Sequence, residues 1–470
     1  MTNYRVEHDS LGERQVPAER YYGIQTLRAL ENFSITSIPI AYYPRLVHSL
    51  AYIKKAAAQA NHELGLLPAE LAQAICAACD EILAGKLHSE FVVDVIQGGA
   101  GTSTNMNANE VIANRALELL ERHKGEYAYL HPLNHVNMSQ STNDVYPTAL
   151  RLTLSMKLDG MLVEMEGLSL ALAAKGTEFA DVIKMGRTQL QDAVPMTLGQ
   201  EFEAWGIMVE EDMQRVREAQ ALIREINMGA TAIGTGLNAH PDYAPLVTRR
   251  LRELSGVPVV QARNLVEATQ DAGAYVQLSG VLKRVAVKLS KIANDLRLLS
   301  SGPRAGLGEI NLPPMAPGST IMPGKVNPVI PEVVNQVAFE VVGNDLTVTM
   351  AVEAGQLELN AFEPVIAFNL FRSMDMLGRA CRTLSQRCIQ GITANRQHCR
   401  WMVEHSIGLV TALNPLLGYE RSAEIAKEAL ESGRSVVEIV LEKGYLSQEQ
   451  LDEALLPENM TRPRYYRGET

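Results

Sequence analysis

The sequence has 470 residues, 46% of them hydrophobic and 21% charged, which is enough for two or three domains or for one extended helical assembly. Only 5% of the residues are aromatic, and this favours packed aliphatic helices over an aromatic-rich β-sandwich. The net charge of -11, from 43 basic and 54 acidic side chains, argues against a nucleic-acid-binding protein, which normally has a basic face. An anionic ligand would therefore need a local positive site.

The five cysteines do not indicate a disulfide framework, because an odd number is scattered through a long chain. Cys76 and Cys79 form a CxxC pair in a helix-like run, and we expect them to pack in the core rather than bind a metal. No segment resembles a signal peptide or approaches the roughly 20 apolar residues of a membrane span. These features predict a soluble, cytoplasmic protein that contacts neither nucleic acid nor membrane.

Three prolines interrupt the first 45 residues or so, and we expect an extended arm there. Apolar residues then recur at helical spacing from Leu46, and a second helix is predicted from Pro68 through Ile82. Residues 1–140 are therefore predicted to form an α-rich first domain.

The middle of the chain, residues 141–395, has longer apolar stripes with steps of three and four residues. The first stripe contains Leu154, Leu158, Met161, Met165, Leu168 and Leu172. The second contains Leu278, Val281, Val285, Leu289, Ile292, Leu296 and Leu299. Helices of this length predict a central bundle about 30 Å or more long, with faces that could also pack between subunits. Shorter helical runs predict a small third α domain over residues 396–470 that ends in a polar tail.

Two segments rich in hydroxyl and amide side chains precede predicted helices. Gln97–Asn109 contains Thr102 among several glycines, which allow the backbone to approach a ligand. Asn137–Asp144 precedes a long helix predicted near Val145, so its N–H groups favour a carboxylate or phosphate. For each segment, simple capping of the helix is the alternative, in the second case by Asp144.

A third segment lies between two strongly helical regions. It contains twelve Gly or Pro residues from Ser301 to Pro331, and a loop of that length in a helical protein is usually functional or disordered. Its centre, about residues 315–330, carries two hydroxyls, a lysine and an asparagine between glycines. This composition favours a mobile lid that closes on an anion.

These three segments resemble the active-site motifs of the fumarase/aspartase superfamily, in the same order along the chain. The matching stretches are Gly98–Asn107 (GGAGTSTNMN), His135–Asp144 (HVNMSQSTND) and Gly318–Asn327 (GSTIMPGKVN). The resemblance implies an all-α, three-domain fold with a long central helix bundle. It also implies a homotetramer around a twenty-helix core, in which each active site takes segments from three subunits.

Within the superfamily the sequence is most similar to the aspartase branch. Met185–Pro195 (MGRTQLQDAVP) has Gln189 where fumarases have a histidine, and Lys124–Tyr127 and Leu298–Gly306 also resemble aspartases. The implied enzyme is a carbon–nitrogen lyase that reversibly eliminates ammonia from L-aspartate to give fumarate. The implied intermediate is an enediolate-type dianion.

The resemblance also implies roles for individual residues. The base is Ser319, in the closed loop. The β-carboxylate is held by Thr102, Ser141, Thr142 and Thr320. The α-carboxylate is held by Thr188, Lys325 and Asn327, and the ammonium group by Asn143 with Gln189. Thr320 departs from the family pattern, since many members have serine there.

No cofactor is expected. The sequence has no visible His/Asp/Glu cluster with metal-ligand spacing, so an activating divalent cation would bind away from the reacting atoms. Three alternatives remain open: a fumarate hydratase, a lyase for another amino dicarboxylate, and a catalytically silent helical oligomer. Gln189 weakens the first, because an amide cannot exchange a proton near neutral pH. Intact Ser319, Lys325 and Asn327 argue against the last.

Overall fold

The computed structural model describes residues 3–463, most of which are helical, as the sequence predicts. The chain forms two compact units. The first contains the residues up to Leu162 together with Gln214–Arg284 and Phe339–Leu377. The second contains Val163–Met213, Val285–Ala338 and the residues from Gly378. The boundaries expected near residues 140 and 395 stay predictions, and the end of the expected polar tail, residues 464–470, lies outside the described residues.

The strands within residues 3–463 are short and form pairs, of which only the third is parallel. They are β1 (Tyr4–Asp9) with β2 (Gly12–Pro17), β3 (Ile183–Thr188) with β4 (Gln191–Thr197), β5 (Glu225–Ile226) with β6 (Val260–Gln261), and β7 (Ile310–Asn311) with β8 (Thr393–Ala394).

The helices supply most of the buried apolar side chains. They are α1 (Ile24–Asn32), α2 (Pro44–Glu63), α3 (Ala69–Leu83), α4 (Thr102–Leu119), α5 (Thr142–Glu178), α6 (Leu198–Ile223), α7 (Tyr243–Ser255), α8 (Leu265–Gln270), α9 (Gly273–Leu299), α10 (Val329–Glu353), α11 (Glu363–Arg387), α12 (Arg396–His405), α13 (Val410–Leu417), α14 (Tyr419–Ser432), α15 (Val436–Glu442), α16 (Gln448–Ala454) and α17 (Pro457–Met460).

The two apolar stripes predicted from the sequence are confirmed in α5 and α9. Every stripe residue of α5 is buried, and in α9 only Val281 is partly exposed. The predicted helix over residues 68–82 is α3, and the segment rich in Gly and Pro separates α9 from α10. None of the described helices combines the length and hydrophobicity needed to cross a bilayer.

The prediction of an extended arm at the amino terminus was wrong. Residues 4–17 form the β1–β2 hairpin, and α1 follows. The guanidinium of Arg5 donates to the carbonyls of Pro17, Ala18, Arg20 and Tyr22, so polar contacts fold this segment back. Such contacts leave no apolar periodicity in the sequence.

Candidate active site

In the first unit, the starts of α4 and α5 lie side by side. The turn before α4 has left-handed backbone at Gly99 (φ +85°) and Gly101 (φ +88°). A Cβ atom on Gly101 would overlap the ring of Tyr146 in α5, so this position needs glycine for close packing as well as for its conformation. The glycines of the first motif therefore bring Thr102 near the second motif.

Asp144 holds the start of α5 in place. Its buried carboxylate accepts hydrogen bonds from the backbone N–H groups of Ser141 (3.0 Å), Gly229 (3.2 Å) and Thr231 (2.9 Å). Burial raises the pKa of Asp144 to about 7, although these backbone donors oppose the shift. Asp144 thus acts at the start of α5, as the capping alternative proposed. It also attaches this helix start to residues 229–231.

Ser141, Thr142 and Asn143, at the start of α5, each take part in a different hydrogen bond. Ser141 Oγ accepts from the N–H of Asn143 (3.2 Å), and Thr142 Oγ1 accepts from the side-chain amide of Asn105 (3.1 Å). Asn143 Nδ2 donates to the carbonyl of Ala232 (2.8 Å), which leaves its amide oxygen available as an acceptor. All three side chains are half-buried, so a ligand could reach them.

Thr102 is exposed at the first residue of α4. Its hydroxyl donates to the carbonyl of Gly99 at 2.7 Å. Thr102 could therefore donate to a ligand only after giving up this bond.

Lys54, which the sequence analysis did not select, lies in the same unit. Its side chain is fully buried, and Nζ donates to Asn105 Oδ1 (2.7 Å), Asn137 Oδ1 (2.9 Å) and Gln140 Oε1 (2.9 Å). Burial lowers the pKa of Lys54 to about 7, against the favourable charge of Asp144. The available signal was a lysine four residues after Leu50, on the apolar face of α2.

In the second unit, Thr188 and Gln189 lie at the tip of the β3–β4 hairpin. Thr188 pairs with Gln191, so Gln189 and Leu190 form a two-residue turn. Both turn residues have left-handed backbone (φ +55° and +63°), as a type I′ hairpin requires. The side chains of Thr188 and Gln189 are exposed at this tip.

Buried charges anchor strand β3 of this hairpin. Glu309, which is fully buried, forms ion pairs with Arg187 and with Lys184 (2.9 Å), and Lys184 also pairs with Glu201 (2.5 Å). Burial disfavours the charge on Lys184, but the two carboxylates raise its pKa overall. The sequence did not indicate this cluster, because its members lie far apart along the chain.

The loop of the third motif is closed by its own polar groups. Gly318 N–H donates to the carbonyl of Lys325 (2.8 Å), and Asn327 Nδ2 donates to the carbonyl of Gly318 (2.7 Å). Ser319 Oγ accepts from the backbone N–H groups of Ile321 (3.1 Å) and Met322 (2.9 Å). These hydrogen bonds close residues 318–327 into one small loop, which contains both Ser319 and Lys325.

The loop exposes both apolar and charged side chains. Ile321 is 85% exposed and Met322 51% exposed, so this chain does not bury them. Thr320 and Lys325 are exposed, whereas Ser319 and Asn327 are half-buried. Within residues 3–463, the ammonium group of Lys325 has no hydrogen-bonding or ionic partner, so it is available to an anion.

The first unit thus brings Thr102 together with Ser141, Thr142 and Asn143. The second unit holds the other site residues, on its hairpin and its loop. Among the described residues there is no group of three or more His, Cys, Asp or Glu side chains that could hold a metal ion.

Comparison with known proteins identifies the family. Residues 12–343 match a family model described as lyase, and residues 409–462 match one described as fumarase C C-terminus. The chain belongs to this lyase family. The expected resemblance to the fumarase/aspartase superfamily is confirmed, because the lyase match spans all three motifs.

Relatives in the family match almost the whole chain. Aspartate ammonia-lyases from Helicobacter pylori and Pseudomonas aeruginosa are 60% and 61% identical, over 98% of this chain and 99% and 97% of their own lengths. The enzyme of that name from Escherichia coli is 54% identical, over 98% of this chain and 97% of its own.

Solved structures of the family have the same fold. A fumarate lyase/delta crystallin from Brucella melitensis, bound to cobalt, has a TM-score of 0.96 and 58% identity, and a class II fumarase from Schistosoma mansoni has 0.94 and 37%. Each match covers 98% of this chain and 100% of the other.

The ion cluster at the hairpin gives a prediction. Glu309→Gln should lower the free energy of unfolding by about 3 kcal/mol, because it leaves a buried cation without a full partner. Glu404→Gln is the matched control, since Glu404 forms an exposed pair with Arg400 and its loss should change the value by less than about 1 kcal/mol. Urea unfolding measures both, and equal losses would contradict the anchoring role of Glu309.

Proposed function

We propose that this protein is an aspartate ammonia-lyase, which reversibly eliminates ammonia from L-aspartate to give fumarate. The supporting observation is that relatives with this name are 54–61% identical to it over nearly the full length of both chains. The matched region includes all three polar segments, so the reaction can be examined on the residues of this chain.

The chemistry sets two requirements. Elimination breaks a C–H bond beside the β-carboxylate and the neighbouring C–N bond, and the electron pair from the first bond forms the double bond as ammonia leaves. The proton is very weakly acidic, and its loss places a second negative charge on the β-carboxylate. The enzyme therefore needs a positioned base and several donors at that carboxylate.

We assign the base to Ser319. An isolated serine hydroxyl is too weak for this step, but the N–H groups of Ile321 and Met322 both donate to Ser319 Oγ. Two such donors stabilise an alkoxide more than a hydroxyl, since hydrogen bonds to a charged acceptor are stronger. Lys325 adds a positive charge on the same closed loop.

We assign the β-carboxylate to the starts of α4 and α5, where backbone N–H groups and helix dipoles favour an anion. The donors are Thr102, Ser141 and Thr142, with Thr320 from the loop. Thr142 is well suited, because its oxygen already accepts from Asn105 and its hydrogen remains for the substrate. Thr102 would exchange its bond to Gly99 for one to the carboxylate.

Lys325, with Thr188 and Asn327, would bind the α-carboxylate, and the exposed ammonium of Lys325 supplies the full positive charge. Asn143 would hold the ammonium group of the substrate through its amide oxygen, which remains an acceptor because Nδ2 donates to Ala232. Gln189 would assist at the same group. Neutral acceptors orient a departing ammonium without a strong ion pair that would retain it.

The substrate is tested by direct assay. The purified protein is expected to form fumarate from L-aspartate and not from L-malate, because expelling hydroxide needs an acid that Gln189 cannot supply. Fumarate absorbance measures both reactions, and a panel of other amino dicarboxylates tests for a broader lyase. Turnover of malate without aspartate would identify a hydratase and contradict the proposal.

The base is tested by Ser319→Ala. We expect kcat to fall by at least about 10²-fold, because general-base catalysis typically contributes 10²- to 10⁴-fold. Ser432→Ala, at an exposed serine in α14, is the control for the same change in size and should keep normal turnover. Near-normal turnover by the Ser319 variant would remove this residue from the role of base.

We further propose that the protein is a homotetramer in which neighbouring chains complete each active site. The support is an exposed apolar stripe on α10, formed by Phe339 (67% exposed), Val342, Leu346 (62%) and Met350. Its spacing of three and four residues gives one helix face, and exposed apolar faces of this kind usually mark protein interfaces. The exposed Ile321 and Met322 of the catalytic loop have the same explanation.

The oligomer is tested by Leu346→Glu. A charge in an apolar interface is expected to dissociate the tetramer and abolish turnover together, as measured by light scattering and fumarate assay. Leu430→Glu on α14, where the leucine is 73% exposed, is the control and should change neither property. A monomer with full activity would contradict the shared active site.

We also assign the protein to the cytoplasm. All five cysteines are free, which is typical of a reducing compartment. The proposed reaction requires no partner beyond further copies of the chain.

A further inference from the structure

Lys54 is a buried cation for which the proposed mechanism has no direct use. Its ammonium group lies behind the second motif, and its three contacts are the amide oxygens of Asn105, Asn137 and Gln140. An ammonium has three N–H donors and no acceptor, so these oxygens satisfy it fully. A buried charge is tolerated only with such bonding. The same bonding also constrains the orientation of the three amides.

The lysine determines which way the neighbouring amides face. Because its ammonium form cannot accept a hydrogen bond, each amide must present its oxygen to it. The Asn105 nitrogen is consequently directed away from Lys54, and it donates to Thr142 Oγ1 (3.1 Å) and Asn137 Oδ1 (3.2 Å). An amide is nearly symmetric in shape, so without the lysine the Asn105 oxygen and nitrogen could exchange places.

The direction of Asn105 in turn determines the direction of Thr142. With Asn105 donating to Oγ1, the Thr142 hydroxyl cannot also donate to Asn105, and none of residues 3–463 accepts its hydrogen. We infer that Lys54 is a positioning residue, which acts through Asn105 to keep the Thr142 hydroxyl as a donor to the substrate carboxylate. This inference rests on the proposed function, since it requires the β-carboxylate at Thr142.

Asn105→Asp is the most specific test. The carboxylate has the size of the amide and still accepts from Lys54, but it accepts rather than donates at Thr142, so the hydroxyl turns toward it. We expect kcat for L-aspartate to fall by about 10²-fold, the scale measured for loss of one donor to a developing oxyanion. KM should change much less, because this hydrogen bond strengthens as the second charge forms. The carboxylate also loses the hydrogen bond to Asn137 Oδ1, so thermal unfolding is measured alongside to show that the variant remains folded at the assay temperature.

Lys54→Met removes the lysine's donors and should also lower kcat more than it raises KM. The matched control is Lys55→Met at the next residue of α2, where the lysine pairs with Asp80 (2.5 Å), and its kcat should stay near the normal value. If Lys54→Met does not fold, Asn105→Asp decides alone.

A double-mutant cycle separates positioning from general disturbance. Thr142→Val removes the hydroxyl and keeps the side-chain shape. In that background, Asn105→Asp and Lys54→Met should each lower kcat by less than about threefold more, because residues that act through one group are not additive. Additive losses, or a normal kcat in Asn105→Asp, overturn the inference while the proposed function stands. Lack of aspartate turnover by the unaltered protein overturns both.

Discussion

The ammonium group of Lys54 donates to amide oxygens from α4 and from the segment before α5, and this buried interaction fixes the two helix starts against each other. A charge removed from water is destabilising by several kcal/mol unless hydrogen bonds and opposite charge compensate. Asp144 supplies the opposite charge and binds three backbone N–H groups. Separating the helix starts would take hydrogen-bond acceptors away from the buried ammonium group of Lys54, so the hydroxyls of Ser141 and Thr142 are held on a rigid base.

In the second unit, buried charges hold one site segment in place but not the other. Its hairpin is anchored by the buried Glu309, whereas the loop that carries Ser319 is closed by local hydrogen bonds and exposes Ile321. Segments with few buried apolar contacts open locally at low free energy. The proposed base thus lies on the least anchored of the site segments, which suits a group that must meet substrate and then release product.

Sequence alone predicted the parts of the fold that depend on local patterns. The stripes of α5 and α9 have the period of a helix, and the glycine-rich motifs needed only short stretches of chain to be identified. Lys54 lies on the apolar face of α2, four residues after Leu50, but this spacing did not show which groups would bind its ammonium. Asn105 and Glu309 could not be selected for a similar reason, since their partners lie 32 or more residues away in most of their side-chain contacts.

The turn at the tip of the β3–β4 hairpin is less stable than another choice of residues would make it. Gln189 and Leu190 both adopt a left-handed backbone, which is unfavourable by about 1 kcal/mol for a residue with a side chain and has little penalty for glycine. Leu190 is 69% exposed, so packing does not compensate for this penalty. Replacement by glycine or asparagine would suit such a turn better. The chain therefore keeps the side chains of Gln189 and Leu190 at the tip, although glycine or asparagine there would make the turn more stable.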